Sequence, residues 1–433
     1  MRVLLLTAGI ALVLFALVGL PHLYRSPYVR SVTGFRALGL PPGVSSSRLA
    51  SEFAVVTGAS LTHGNAVEML ANGDGTFGRL WRDIRLARRS VTVQMYYAGA
   101  GAVADSVTRI LAERARAGVR VYFLVDAFGA QTLPRRYLDT LRAAGAQVAE
   151  FRPIRWYSLD KASHRAHVRG IIVDGVVAYT GGFGFDDKWL GGGRQPTEWR
   201  ETNARFSGPA VAQLQTAFIS SWAEATGQLL TGEFDQIGEG PATSRLAPAG
   251  GGLAALVYSP PITGSTAAER LTALSIATAR RRLHIANAYF IPDAPFVQML
   301  VAASHRGVDV RVLTNGPQSD VSTTRRAAHS RYDALLAGGV RIFEYGPTTM
   351  HSKTLVVDGV WSTVGTMNFD NRSLAYNSEV ALVTLDSAMG ARMESFFLDD
   401  LRLAEEIIPA VFGRRSHTER FLERAASVMA SIL

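Results

Sequence analysis

The chain has 433 residues, a formal charge of +9, no cysteine and 48% hydrophobic residues. That length exceeds one ordinary domain, so two domains or a duplicated one are expected, with apolar content ample for a sizeable core. Lack of cysteine excludes disulfides and thiolate metal sites, while the basic balance suits nucleic acid or an anionic lipid surface equally.

Behind Met1-Arg2, residues Val3 to Leu20 run without a charge. Such a run is just long enough to span a bilayer, and no convincing small-x-small cleavage site follows it. Residues 1–24 are therefore predicted as an uncleaved transmembrane anchor. Arg25, Arg30 and Arg36 follow the apolar run and Arg2 precedes it, which mildly favours a cytoplasmic catalytic part. Residues 25–53 are read as a juxtamembrane linker.

Residues 54–230 form a first half. The alternating run Val91–Tyr97 predicts a strand, Ala102–Ala117 a helix stopping at Gly118, and Val119–Asp126 a strand. A helix over Pro134–Ala144 stops at Gly145, and the strand Gln147–Phe151 leads to Pro153. Then comes His167-Val-Arg169-Gly-Ile-Ile-Val-Asp174, followed by Gly181-Gly-Phe-Gly184. Residues 231–256, rich in Pro and Gly, read as a surface linker.

The second half, 257–412, repeats the order. A strand over Leu283–Phe290 precedes a helix from Ala294 to Gly307, the strand Val308–Thr314, a helix stopping near Gly338 and the strand Val340–Tyr345. Then comes His351-Ser-Lys353-Thr-Leu-Val-Val-Asp358, followed by Gly365-Thr-Met-Asn368. Strands alternating with helices predict crossover units and mainly parallel sheets, with a glycine C-cap at each helix end. Residues 413–433 make a basic, then amphipathic tail, which either docks on its own domain or lies on a membrane.

In both copies the spacing from histidine is the same: a cation at +2, Asp at +7, Gly at +14. The second copy carries Lys353 in a chain where only three of the 45 Lys and Arg residues are Lys (Lys161, Lys188 and Lys353). One imidazole and one fixed cation, supplied twice, suit attack on a phosphodiester. A neutral imidazole attacks phosphorus, and a protonated one gives its proton to the leaving oxygen. Lys353 and Arg169 are positioned to bind the non-bridging oxygens. Each imidazole needs orienting through its other nitrogen, for which Glu201 and Glu379 are the candidates. Asp174 and Asp358 complete the phrases, either in the catalytic set or as anchors of the strand-turn that follows. No metal-ligand spacing occurs, so neither metal nor other cofactor is expected.

These phrases resemble the phospholipase D superfamily of phosphodiesterases, and within it the bacterial cardiolipin synthases and their phospholipase D-like relatives. The likeness covers about residues 54 to 412, with supporting phrases at Gly64-Asn65, Asn72-Gly-Asp74, Trp199-Arg-Glu201, Gly208-Pro-Ala210 and Asn368-Phe-Asp-Asn-Arg372-Ser373. It implies an α/β fold of two pseudo-twofold-related halves sharing one cleft. It also implies His167 as nucleophile, His351 as general acid and base, Asn368 as an amide donor to substrate, and Thr366 where a serine hydroxyl is usual. Arg169 departs from the family's Lys, and Gly182 and Gly184 stand where the second copy has Thr366 and Asn368.

With the anchor, the resemblance implies a phosphatidyltransferase at the bacterial cytoplasmic membrane. It would make cardiolipin and glycerol from two phosphatidylglycerol molecules, with anionic phospholipid as partner and no nucleic acid. The alternatives are a hydrolase yielding phosphatidic acid, a nuclease of the same superfamily, or a non-catalytic scaffold.

Overall fold

The computed structural model describes residues 27–33, 47–153, 164–231, 252–261 and 264–430. The predicted anchor, part of the linker behind it and most of the linker between the halves lie outside the described residues. Among those described, no helix is long and apolar enough to cross a membrane.

The first sheet contains β1 (Ala66–Ala71), β2 (Ser90–Met95), β3 (Arg120–Asp126), β4 (Gln147–Phe151), β5 (Gly170–Val173), β6 (Val177–Gly181) and β7 (Thr202–Ser207), in the order β1-β7-β6-β5-β2-β3-β4. The second contains β8 (Leu253–Ser259), β9 (Arg282–Asn287), β10 (Asp309–Asn315), β11 (Arg341–Tyr345), β12 (Lys353–Val357), β13 (Trp361–Gly365) and β14 (Glu379–Leu385). Its order is β8-β14-β13-β12-β9-β10-β11, with a short β15 (Ala404–Glu406) beyond β11. Strand for strand the two halves correspond.

The expected crossover units are present: β2, β3 and β4 are parallel, as are β9, β10 and β11. The crossover helices of the first half end at Gly118 and Gly145, whose φ values of 86° and 94° are the left-handed conformation of a helix C-cap. Mainly parallel sheets, however, are not what forms. β5 and β12 pair antiparallel with β2 and β9, and every strand beyond them toward β1 or β8 is antiparallel too. The cause lies inside the repeated phrases. Asp174-Gly175 and Asp358-Gly359 all take positive φ, the conformation of a tight hairpin turn, so each phrase folds back on itself instead of crossing over.

Alternate residues of β5 and β12 face opposite layers. Ile171 and Val173 pack under the helices of the first half, Leu355 and Val357 under those of the second, while Ile172 and Val356 join a core shared by both sheets. The result is helices, sheet, sheet, helices. Helix Ala210–Thr226 contributes Val211 and Leu214 to the shared core, and helix Ser387–Leu401 contributes Met393 and Phe396. Two boundaries shift. Helix Ser47–Thr57, partly read as linker, sends Leu49 and Phe53 into the second half's core, and β8 begins inside the other linker. The tail helix His417–Ala430 docks on Ser322–Ala337: Arg415 pairs with Glu423 and Asp333, and Ala426 is buried.

Candidate active site

Each histidine sits just before the central antiparallel strand of its half, where the sheets abut. The residue before it is pinned by a polar side chain from the end of a parallel strand, β3 or β10, one strand removed. Asp126 accepts from the Ala166 amide at 3.0 Å, and Asn315 from the Met350 amide at 2.7 Å. Those same two residues bridge the halves, Ala166 with Ser378 and Met350 with Arg200. Ser378 precedes Glu379, and Arg200 precedes Glu201. Each bridge therefore sets a histidine of one half beside the carboxylate of the other.

The side chains follow. His167 Nδ1 lies 2.9 Å from Glu379, and His351 Nδ1 lies 2.6 Å from Glu201. A carboxylate at Nδ1 holds the ring proton there and leaves Nε2 with its lone pair toward the cleft. The two predicted orienting acids thus meet the two predicted histidines, but crosswise, so neither half carries a complete pair. Further support is lopsided. Glu379 accepts from the Thr366 hydroxyl at 2.5 Å, so that hydroxyl serves the carboxylate. Glu201 accepts from the Trp189 indole at 3.3 Å. A Cβ at Gly182 would lie 2.3 Å from Glu201, and one at Gly184 2.7 Å from the Trp189 ring. Glycine at both positions makes room for that carboxylate and indole.

The cations lie alongside. Arg169 Nη2 is 3.4 Å from His167 Nε2, while its Nε and Nη1 are buried without a partner. Lys353 Nζ lies 3.0 Å from His351 Nδ1 and donates to the His351 carbonyl. Asn368 carries a buried, unpartnered Oδ1 at the cleft wall. Of the two readings open for Asp174 and Asp358, the structure supports anchors of the strand-turn over members of the catalytic set. Asp174 accepts from the backbone amides of Arg88, Arg89 and Ser90, and Asp358 from those of Arg280, Arg281 and Arg282. Each ties its hairpin turn to the loop before β2 or β9, because a carboxylate in a left-handed turn satisfies amides that no strand can reach.

Burial dominates the electrostatics. His167 and His351 are 7% and 3% exposed, and Glu201 and Glu379 1% and 0%. Loss of solvent, followed by the Arg169 and Lys353 charges, holds both imidazoles well below the ordinary range and therefore neutral. Burial pushes Glu379 up to about 8 and Lys353 down to about 7. An anion entering beside the two cations offsets them and restores affinity for a proton on an imidazole. The empty site accordingly favours the neutral, attacking form, and the filled site allows one ring to be the acid.

Both histidines and Arg169 line a cleft of about 650 Å³. Of its walls, Trp199 belongs to a supporting phrase, whereas Tyr96 and Tyr289 were legible only as strand residues. Tyr96 stands edge-on to His167 at 4.7 Å, Trp199 lies 4.9 Å from His351, and Tyr289 bonds Asp320 at 2.6 Å. Asp126 was legible only as a strand end, and Asn315 lay one residue past the predicted strand. Asn72, from a supporting phrase, accepts from the Glu201 amide at 2.9 Å, and Asn65 from the Ala210 amide at 2.8 Å. Asn72 thus supports the backbone of the acid, and Asn65 the start of helix Ala210–Thr226.

The family model described as "Cardiolipin synthase, PLD-like domain" matches residues 80–222 and 274–401, one segment in each half. Cardiolipin synthase A of Pseudomonas fluorescens (strain SBW25) is 34% identical over 85% of this chain and 75% of its own length. Cardiolipin synthase A of Pseudomonas syringae pv. syringae (strain B728a) is 32% identical over 85% of this chain and 74% of its own. Among solved structures, phosphatidylserine synthase of Haemophilus influenzae Rd KW20 superposes with a TM-score of 0.65 over 89% of this chain and 99% of that one, at 13% identity. That likeness is one of fold. With two matching sheets, paired histidine phrases meeting in one cleft, and relatives aligned over most of its length, the chain belongs to the phospholipase D-like family of the cardiolipin synthases.

Proposed function

We propose that this enzyme, a phosphatidyltransferase of the phospholipase D type, joins two phosphatidylglycerol molecules into cardiolipin and releases glycerol. One observation carries the reading: two neutral imidazoles, each turned by the other half's carboxylate, open on one cleft beside an arginine with two buried, unpartnered donors. In this reading His167 Nε2 attacks phosphorus and the P–O bond to glycerol breaks. His351, which takes up a proton when the anionic substrate offsets the two cations, gives it to the leaving oxygen. Phosphate remains on His167 as a phosphatidyl-histidine. His351 then takes the proton from a hydroxyl of the second phosphatidylglycerol, whose oxygen displaces His167. Arg169 and Lys353 hold the non-bridging oxygens, where charge accumulates in both steps.

The names of the relatives support the acceptor assignment. The uncharged run at residues 3–20 supports an anchor at the bacterial cytoplasmic membrane, with the catalytic halves on the cytoplasmic side. The test uses the full chain in phosphatidylglycerol vesicles without added metal, with lipids and free glycerol measured together. Cardiolipin with matching glycerol is expected. Phosphatidic acid alone transfers the assignment to a hydrolase, and DNA cleavage without lipid turnover overturns it.

A further inference from the structure

A second feature of the cleft is not used by the transfer chemistry. Lys188, in the short helical turn Asp187–Trp189, points its ammonium into three aromatic rings: Tyr97 at 3.5 Å, Trp199 at 4.1 Å and Trp189 at 4.8 Å. The rings are mutually inclined, Trp189 to Trp199 at 67° and to Tyr97 at 62°, so they form walls and not a stack. No hydrogen bond or ion pair from a described residue reaches this ammonium. Its backbone is fixed on both sides, with Asp186 capping the Lys188 amide and the Trp199 amide donating to the Lys188 carbonyl. Trp199 and Trp189 also flank the His351 ring, at 4.9 and 5.5 Å. The box therefore opens beside the group that handles the headgroup oxygen.

Aromatic boxes of this kind hold quaternary ammonium ligands. Here the protein's own cation fills the box. An arginine is planar and longer, and does not substitute for a point charge inside three walls. That accounts for one of only three lysines in a chain that otherwise uses arginine.

We propose that Lys188 is a headgroup-selecting residue: by occupying the aromatic box it excludes choline headgroups and offers its ammonium to the hydroxyls of a glycerol headgroup. This rests on reading the cleft as a phosphatidyl-transfer site.

The test compares the full-length protein with Lys188→Ala, which empties the box, and Lys188→Gln, which fills it without charge. Tetramethylammonium chloride is titrated while tryptophan fluorescence is followed. Saturable quenching is expected only in Lys188→Ala. In mixed vesicles, choline release relative to glycerol release rises about 10-fold or more in Lys188→Ala, the order expected for an ammonium gaining a desolvated aromatic site. In Lys188→Gln, glycerol release falls and no tetramethylammonium binding appears. A folded Lys188→Ala with neither quenching nor a changed ratio overturns the proposal. If that variant does not fold, Lys188→Gln with a wild-type ratio and wild-type glycerol release overturns it. If no variant turns over lipid but quenching appears in Lys188→Ala alone, the box assignment stands and the transfer reading falls.

Discussion

The two halves of the site carry the same phrase and solve the same problem with different parts. The second half has a lysine, a hydroxyl at Thr366 and an amide at Asn368. The first has Arg169, with Gly182 and Gly184 at the matching places. By sequence the first half looks depleted. In three dimensions it is refitted: the two glycines clear space for Glu201 and Trp189, and the indole donates to Glu201 as the Thr366 hydroxyl donates to Glu379. Because the carboxylates cross over, Trp189 serves His351 and Thr366 serves His167. Loss of a side chain from a repeated motif is thus no sign of lost function until its place in the fold is known.

The sharpest way to break this comparison is to remove the histidines. His167→Ala should abolish both turnover and any labelled phosphoenzyme, whereas His351→Asn should slow formation of the phosphoenzyme on the order of 10²–10⁴-fold. Trapping of labelled phosphatidyl on His351 would reverse the roles. The carboxylates come next. Glu379→Gln and Glu201→Gln should each cost about 10³–10⁴-fold in kcat with the fold intact, as for loss of a tautomer-fixing acid. Because the pairs cross, Glu379→Gln should act on phosphoenzyme formation at His167. An effect of Glu379→Gln confined to proton donation by His351 would contradict the crossed arrangement.

Arg169→Ala should lose roughly 2–4 kcal/mol of transition-state stabilisation, with Arg169→Lys largely active; unchanged turnover in the Ala variant would show that the first half does not hold phosphate. A smaller effect tests the compensation itself. Trp189→Phe and Thr366→Val each remove one hydrogen bond to a buried carboxylate, worth about 1.5–3 kcal/mol. Similar losses in kcat are expected from the two, and a silent Trp189→Phe would mean the indole does not stand in for the hydroxyl.

The smallest effect is on pH dependence. Burial and the Arg169 charge both disfavour imidazolium at His167, so its pKa is lowered and the neutral nucleophile persists to more acid pH. Arg169→Gln removes that charge, raises the His167 pKa, and should move the acid limb of kcat/KM upward. Arg169→Lys should leave the limb nearer its original position. An unmoved limb in Arg169→Gln would assign it to another group.

Much of this was legible in the chain. The crossover strands and helices of both halves fall within three residues of their predicted ends, because glycine stops and periodic apolar runs are local signals. The duplicated spacing gave the histidines and cations, since identical offsets from a strand place identical atoms; the acids, at unequal distances behind the two phrases, came from each imidazole's need for a partner and from the resemblance. The same phrases hold a hairpin signal, Asp-Gly after an apolar strand, which makes the strands on either side of it antiparallel where the helix–strand alternation around them favours a parallel sheet. That turn is also why Asp174 and Asp358 bind backbone amides and stay out of the cleft.

Sequence alone, then, determined the repeat, the local elements and the chemical inventory of the site, all of which depend on near neighbours along the chain. Tertiary structure decided the partnerships. Whether His167 meets Glu201 or Glu379 depends on the bridges Ala166 to Ser378 and Met350 to Arg200, which join residues far apart in the chain. Whether Gly182 and Gly184 are losses or clearances depends on where the Glu201 carboxylate and the Trp189 indole pack. Lys188 was one of three lysines in the sequence, and only packing put three rings around it. Contacts between distant segments are fixed by how two sheets bury their shared apolar face, and no local spacing records that.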